Sequence, residues 1–116
     1  MRNGRYIDDN GDVRWYLNNE LHREDGPAVE RADGSRRWYL HGKLHRTNGP
    51  AIEWANGTHF WYLSGKCHRT DGPAVEYPNG TCQWYLNDEH YTFAEWLEQL
   101  NTTPESRTLL IIKWSN

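Results

Sequence analysis

Three His-Arg pairs recur in this chain at intervals of 23 residues, and their side chains can bind anions. They are His22-Arg23, His45-Arg46 and His68-Arg69. The arginine guanidinium is a planar fork that suits phosphate or carboxylate, and histidine can join it as a neutral donor or when protonated. Two interpretations follow. Either the pairs form a binding row along one edge of the fold, or each Arg pairs with acids of its own repeat and each His caps a turn carbonyl. In the second interpretation the acids that pair with the arginines are Asp25, Asp71, Glu30, Glu53 and Glu76.

Aromatic residues form two further candidate binding sets. One tyrosine stands in each of four Trp-Tyr-Leu runs, at Tyr16, Tyr39, Tyr62 and Tyr85. At another equivalent position of the repeat the residues are Arg31, Trp54 and Tyr77. Trp, Tyr and Arg dominate binding hot spots, so the second set is a candidate stripe for a partner. The alternative for that set is a varied solvent-exposed face with some rings packed on neighbours.

Catalytic and metal chemistry have little support in this sequence. No Ser-His-Asp or Cys-His arrangement stands out, and three equivalent His-Arg pairs do not make one asymmetric active site. Zinc needs ligands at ~2.1 Å around one centre, whereas residues repeated across strands lie ~4.8 Å apart. Cys67 stands where Leu21 and Leu44 stand, so it is read as an apolar substitution. We therefore expect no catalytic residue, no metal and no cofactor.

Composition indicates one folded domain in a chain of 116 residues. The mean hydropathy of −1.02 alone would suggest disorder, but seven Trp, seven Tyr and two Phe supply large rings for a core. The net charge of −3 gives no basic signature, so direct contact with nucleic acid is not expected. No apolar run approaches the ~18 residues of a membrane span. The two cysteines make no disulfide framework, and we expect a cytoplasmic protein without membrane contact.

The repeat is the main feature of the sequence and predicts short antiparallel strands. Residues 37–59 and 60–82 are identical at 15 of 23 positions, which indicates a repeat architecture. Each copy contains a strand-prone Trp-Tyr-Leu run, a tight turn such as His41-Gly42, a second strand such as Ala51–Glu53, and further turns that contain glycine. We expect a β-sheet domain over residues 1–90, made of half, three whole and half repeats in a single antiparallel sheet.

Alternation along the strands sorts the recurring side chains into two rows. The Trp/Leu row contains Trp15, Trp38, Trp61 and Trp84 with Leu17, Leu40, Leu63 and Leu86. The Tyr row, Tyr16, Tyr39, Tyr62 and Tyr85, points the other way. We expect the Trp/Leu row to be buried, and the Tyr row to be exposed or half-exposed, or else a core on the far side.

The last residues, 91–116, depart from the repeat and predict a cap within the same domain. Thr92 and Glu95 have the spacing of a capping box. The next apolar residues have the spacing of one helical face, so a helix is expected at about residues 93–100. Thr103-Pro104-Glu105 begins a turn or short helix, and Leu109–Trp114 is interpreted as a last strand or an apolar clasp. Such a cap would cover the open end of the array, and the alternative is a helix that docks on a partner.

The repeat resembles a known family. The string Trp38-Tyr39-Leu40-His41-Gly42-Lys43-Leu44-His45, followed by Ala55-Asn56-Gly57-Thr58, resembles the MORN repeat (membrane occupation and recognition nexus). Over residues 3–90 the chain is more similar to small bacteriophage proteins with Trp-Tyr-x-Asn/His-Gly-Lys-x-His-Arg-x-Asp-Gly-Pro-Ala units. It departs from MORN by the inserted Arg-x-Asp/Asn-Gly-Pro, so the lipid and scaffold roles of that family are not carried over. The fold class implied is mainly β, an antiparallel sheet of MORN-like β-hairpin repeats with a C-terminal helical cap.

The leading functional hypothesis is a non-enzymatic protein-binding module. The resemblance implies a phage accessory protein that binds and inhibits a host protein in the host cytoplasm, such as a defence nuclease or a CRISPR effector. The alternative is a protein that holds a small anionic ligand or nucleotide on the Tyr and His-Arg rows, since ring stacking and Arg suffice for a nucleotide. An exposed sheet edge would also permit a homodimer.

Overall fold

Turns rich in glycine and asparagine divide the first 91 residues into fourteen short strands, and two helices follow. A computed structural model describes residues 1–115. The strands are β1 (Gly4–Ile7), β2 (Val13–Leu17), β3 (Glu20–Leu21), β4 (Val29–Glu30), β5 (Arg36–Arg37), β6 (Tyr39–Leu40), β7 (Lys43–Leu44), β8 (Ile52–Glu53), β9 (His59–Phe60), β10 (Tyr62–Leu63), β11 (Lys66–Cys67), β12 (Val75–Glu76), β13 (Cys82–Leu86) and β14 (Glu89–Tyr91). The strand pairs are antiparallel, so the predicted fold class, mainly β with a helical C-terminal segment, is confirmed at that level.

The tight turns predicted from the sequence have the backbone conformation that a hairpin needs. Asn18, His41, Ser64 and Asn87 have φ between 49° and 52°, and the residue after each also has a positive φ. A two-residue turn of this kind matches the twist of the flanking strands. Asparagine, aspartate and glycine tolerate the left-handed region better than other residues, and they fill most of these positions.

The strands form three sheets rather than the single sheet expected. The main sheet has the order β1-β2-β4-β5-β8-β9-β12-β13-β14, with β3 beside β2, while β6-β7 and β10-β11 form separate two-stranded sheets. The breaks fall at Trp38 and its equivalent Trp61, where the chain changes partner. Trp15 changes partner in the same way, but β1 pairs with β2 at that residue and keeps the strand unbroken. The Trp38 N–H donates to the Ala51 carbonyl (2.8 Å), whereas the Trp38 carbonyl accepts from the His45 N–H (3.0 Å). The chain therefore leaves one neighbour and joins the next at this residue.

Arg2 and Asn3 supply the first hairpin turn with contacts that a preceding copy supplies elsewhere. The Asn19 N–H donates to the Arg2 carbonyl (3.0 Å), and the Asn18 N–H donates to Asn3 Oδ1 (2.9 Å). In the second copy the Gly42 N–H donates instead to the carbonyl of a leucine of the first copy. Two residues at the start of the chain thus satisfy the turn donors of the first copy.

The core lies in the Ala-Val/Ile strands rather than in the Trp/Leu row. Its buried members there are Ala28, Val29, Ala51, Ile52, Ala74 and Val75. Within the Trp/Leu row only Trp84 is buried, Leu17 is exposed, and the remaining members are half-buried. The prediction of a buried Trp/Leu row is therefore confirmed at Trp84 and wrong at Leu17. The other members are only half-buried, because an arginine stacks on Trp15, Trp38 and Trp61 and no second layer covers them. The Tyr row is half-buried throughout, in line with the half-exposed interpretation.

Two helices end the described chain. Helix α1 spans Phe93–Gln99 and begins with the expected capping box, in which Thr92 accepts from the Glu95 N–H and the Glu95 side chain accepts from the Thr92 N–H. Helix α2 spans Pro104–Trp114, so of the two alternatives for Leu109–Trp114 the strand is wrong. Leu110 and Trp114 pack against the buried cluster of Trp84, Trp96 and Leu97, in line with the apolar clasp. The Thr103 hydroxyl caps this helix, and the ring of Pro104 presets φ for its first position, which lets the helix run on through the apolar segment. The predicted cap ends at residue 116, which lies outside the described residues.

Neither helix has the length and apolar character needed to cross a membrane.

Candidate functional site

Each His-Arg pair opens a turn in which the arginine is enclosed by its own copy. We call residues 22–27, 45–50 and 68–73 the first, second and third turns. In the second turn, Arg46 Nε donates to Asn48 Oδ1 (3.1 Å). Its Nη1 donates to the Pro50 carbonyl (3.1 Å) and to Glu53 Oε2 (3.3 Å). Arg23 and Arg69 make the same set of contacts in the first and third turns.

The arginine also lies between an indole ring and a glycine. The Cζ atom of Arg46 is 3.9 Å from the centroid of the Trp38 ring, and the equivalent distances are 4.4 Å in the first turn and 3.8 Å in the third. A Cβ atom on Gly49 would stand 2.7 Å from that same Cζ atom. Glycine at this position therefore lets the backbone approach the guanidinium without displacing it, and the indole and the glycine hold the arginine between them.

The histidine of each pair binds the hairpin of the next copy as an acceptor. His45 Nδ1 accepts from the Ser64 N–H (2.9 Å), and His22 and His68 accept in the same way from His41 and Asn87. The expected cap on a turn carbonyl is thus wrong, because the first residue of a two-residue turn has an N–H that its own hairpin leaves free. Burial lowers the pKa of His68, which favours the neutral acceptor form.

Consecutive turns enclose grooves whose floors belong to the Trp/Leu row. The first groove, of about 590 Å³, has Trp38 and Leu40 as its floor, and its walls are Arg23–Gly26 and His45–Asn48. The second groove, of about 170 Å³, has the equivalent floor of Trp61 and Leu63, between Arg46-Thr47 and His68–Asp71. The two grooves combine a half-buried apolar floor with polar walls. The grooves are lined by Arg and His residues that the sequence analysis named as candidate binding residues, and by Trp and Leu residues that it expected in the core.

The third place in this row is filled by the chain itself. Its floor is Trp84 and Leu86, and helices α1 and α2 pack on it. The ring centroid of Trp84 lies 4.6 Å from that of Trp96 and 5.9 Å from that of Trp114. The indole N–H of Trp96 donates to the Arg69 carbonyl (3.0 Å), and the indole N–H of Trp114 donates to the Asp71 carbonyl (3.0 Å). We call this the third groove.

The other sequence-predicted binding residues lie away from the grooves. Tyr16 packs edge-on against Tyr6 (5.6 Å), and Tyr85 lies tilted against the His90 ring (5.0 Å). The Trp54 ring lies 4.9 Å from the Arg37 guanidinium. Tyr62 and Tyr77 pack against the buried cluster of the third copy. Tyr39 is half-buried in the β6-β7 hairpin. Within residues 1–115, no tyrosine of the Tyr row lines the first or second groove.

The two cysteines have thiols whose pKa values are raised by burial. Burial raises the pKa of Cys67 to about 12, so its thiol stays protonated at neutral pH. Cys67 and Cys82 are both free thiols. Among residues 1–115, no group of three His, Cys, Asp or Glu side chains has the arrangement of a metal site.

Comparison of the chain with protein-family models, curated proteins and solved structures finds no match.

Proposed function

We propose that this chain is a non-enzymatic protein-binding module whose contact surface is the first and second grooves. The observation that carries the proposal is the pair of neighbouring open grooves with indole and leucine floors. Half-buried aromatic rings surrounded by polar walls are typical of the centres of protein interfaces. The elongated shape of the molecule, 49 × 28 × 21 Å, lets both grooves face one partner.

The polar walls can contact a protein partner, but their arginines are not free to bind an anion. Arg23 and Arg46 already bind carboxylate or amide oxygens and a carbonyl of their own turns. Their guanidinium charges are therefore partly neutralised, and a phosphate would have to displace internal partners. Because the Tyr row is also absent from these two grooves, a protein partner is better supported than a nucleotide.

The finer proposal concerns the biological setting. The resemblance of the 23-residue unit to small bacteriophage proteins supports a phage accessory protein that acts in the host cytoplasm. Such a protein can inhibit a defence nuclease or a CRISPR effector by covering a surface that the host protein needs, which requires affinity and no chemistry of its own.

Affinity capture with matched variants tests the proposal. The tagged chain is incubated with bacterial lysate beside a double variant, Leu40→Lys with Leu63→Lys, which places charge on both open floors. Leu17→Lys is the control, since Leu17 has the same place in the first copy but adjoins neither groove. We expect a stoichiometric protein with the chain and with the control and none with the double variant, while thermal melting shows that all three are folded.

Capture of no stoichiometric protein, or equal capture by the folded double variant, would overturn the proposal.

A further inference from the structure

The third groove indicates what the other two grooves bind. We infer that the first and second grooves hold a partner helix that carries a tryptophan, with a basic residue beside the tryptophan that lies in the first groove. This inference rests on the proposed function and names the partner's chemistry.

The occupied groove defines the contacts that such a helix makes. Trp96 is fully buried and packs on Trp84, and its indole N–H donates to the carbonyl of Arg69 in the third turn. Trp114 lies against Gly72, and its indole donates to the carbonyl two residues further along the turn. Ring stacking and an indole donor are thus satisfied together, which is the arrangement that favours buried tryptophan.

The open grooves present the same floors and turn carbonyls, but Arg46 and Arg69 stack on Trp38 and Trp61 where rings of α1 lie on Trp84 in the third groove. Their floors repeat the Trp and Leu of the third groove at intervals of 23 residues. The acceptors equivalent to those that the indoles use are the carbonyls of Arg23, Asp25, Arg46 and Asn48. Within residues 1–115, these four carbonyls accept no hydrogen bond. An indole donor on a partner would satisfy them as Trp96 and Trp114 do in the third groove.

A helix is the element that delivers these side chains to the groove. In α1, Trp96 and Leu97 share one face with Phe93 and Leu100, at the i, i+3, i+4 and i+7 spacing of a helix. The groove-facing residues of a partner helix should have the same spacing. Helix-in-groove recognition is a general mode of peptide binding that uses such anchors.

The acidic residues in the wall of the first groove favour a positive charge beside the partner's tryptophan. In the third copy Lys113 lines a cavity together with Thr70 and Asp71, and it directly precedes Trp114. The first groove has Glu24 where the third has Thr70, so it carries one more acid, and both Glu24 and Asp25 are exposed. A lysine or arginine beside the tryptophan therefore complements the first groove better than an acid does.

A peptide copy of the chain's own helices is the probe. A synthetic peptide of residues 91–115 carries Ala94→Lys, joined by a lactam to Glu98, which locks α1 as a helix on its exposed side. It is titrated into the isotope-labelled full-length chain and followed by amide chemical shifts. We expect saturable shifts in the first and second turns. Trp96→Phe with Trp114→Phe in the peptide, which keeps the rings but removes the indole donors, should weaken binding at least ~10-fold, as expected for loss of hydrogen bonds of this kind.

The full-length Leu40→Lys, Leu63→Lys chain should lose these shifts, and the Leu17→Lys control should keep them. No saturable binding, shifts confined to Trp84 and the third turn, or unchanged binding by the Phe peptide would each overturn the inference. If the peptide fails while affinity capture still depends on Leu40 and Leu63, only the partner chemistry is wrong and the protein-binding proposal stands.

Discussion

The third groove and the two open grooves are built from equivalent residues, yet they differ in what covers them. Arg69 has 10% of its side chain exposed, whereas its equivalent Arg46 has 22%. Trp84 is buried, and Trp38 and Trp61 are half-buried. The stacked arginine and the glycine are alike in the three turns, where the arginines lie on Trp15, Trp38 and Trp61. On Trp84, the rings of Phe93, Trp96 and Trp114 stand in place of an arginine. The same residues thus act as core where the chain supplies a helix and as surface where it does not, so their contribution to stability depends on the cover.

The largest expected effect separates the covered groove from the open ones. Trp96→Ala removes a fully buried ring and its bond to the Arg69 carbonyl, so it should lower the free energy of unfolding by about 3–5 kcal/mol. Trp38→Ala should cost about 1–3 kcal/mol, because the ring is half-exposed and the area lost from burial is smaller. Urea denaturation of both variants measures the difference. Equal losses would mean that α1 does not bury the third groove.

A smaller difference between the covered and the open grooves is expected for substitution of their arginines. Arg69→Ala and Arg46→Ala should each lower the free energy of unfolding by ~1–3 kcal/mol, because turn acceptors and a glutamate lose their donor. The loss should be larger for Arg69, which the helices bury. Arg5, an exposed residue of β1, is the control, and its change to alanine should stay within ~0.5 kcal/mol. A stable Arg46→Ala protein that has lost its partner would make the His-Arg row a binding site.

A double-mutant cycle tests the stack of indole, guanidinium and glycine. Gly49→Ala should cost about 1–2 kcal/mol, because the new methyl group meets the Arg46 guanidinium, a case of overpacking. In an Arg46→Ala background the same change should cost much less, since the space is then open. Chemical denaturation of the four proteins gives the coupling, and additive losses would argue against the stack.

The smallest effect is a pH dependence that distinguishes the first turn from the second. The Arg23 guanidinium beside Asp25 lowers the pKa of that carboxyl below its usual value of 3.8. The stabilisation is therefore present above the usual pKa and is lost as the pH falls through the lowered value. The second turn has Asn48 at the equivalent position, which does not titrate. Asp25→Asn should melt below the unmodified chain at neutral pH and converge with it in acid, and a constant gap between the two melting curves would contradict this.

The turns and the helix start could be predicted from the sequence, but which members of the Trp/Leu row other parts of the chain cover could not. The turn residues specify left-handed backbone at positions such as Asn18, and Thr92 with Glu95 specifies a helix start, because both depend on neighbours in the chain. Alternation correctly separates the Trp/Leu row from the Tyr row. It cannot tell which side is covered, because that depends on contacts such as Trp114 to Asp71, 43 residues apart. Of the two alternatives for Leu109–Trp114, a strand or an apolar clasp, the strand was wrong because a short apolar run fits a strand or a helix equally well.

The candidate site was predictable in its parts but not in its arrangement. The His-Arg pairs and the glycine turns were evident as repeated residues. The floors at Leu40 and Leu63 were missed because the same residues, read as a row, suggest core. The sequence did contain a signal for open floors: the repeat has three turns, whereas one short non-repeat segment follows it.

Hydrogen exchange at the indole nitrogens tests the central claim, that helices of this chain fill the third groove and leave the first two open. Trp96 is fully buried and its N–H bonds a turn carbonyl, whereas Trp38 is half-buried in an open groove and, among residues 1–115, its indole donates to no partner. We expect the Trp96 indole N–H to exchange only when the helix opens, and therefore much more slowly than that of Trp38. Equal exchange at Trp96 and Trp38 would contradict the account.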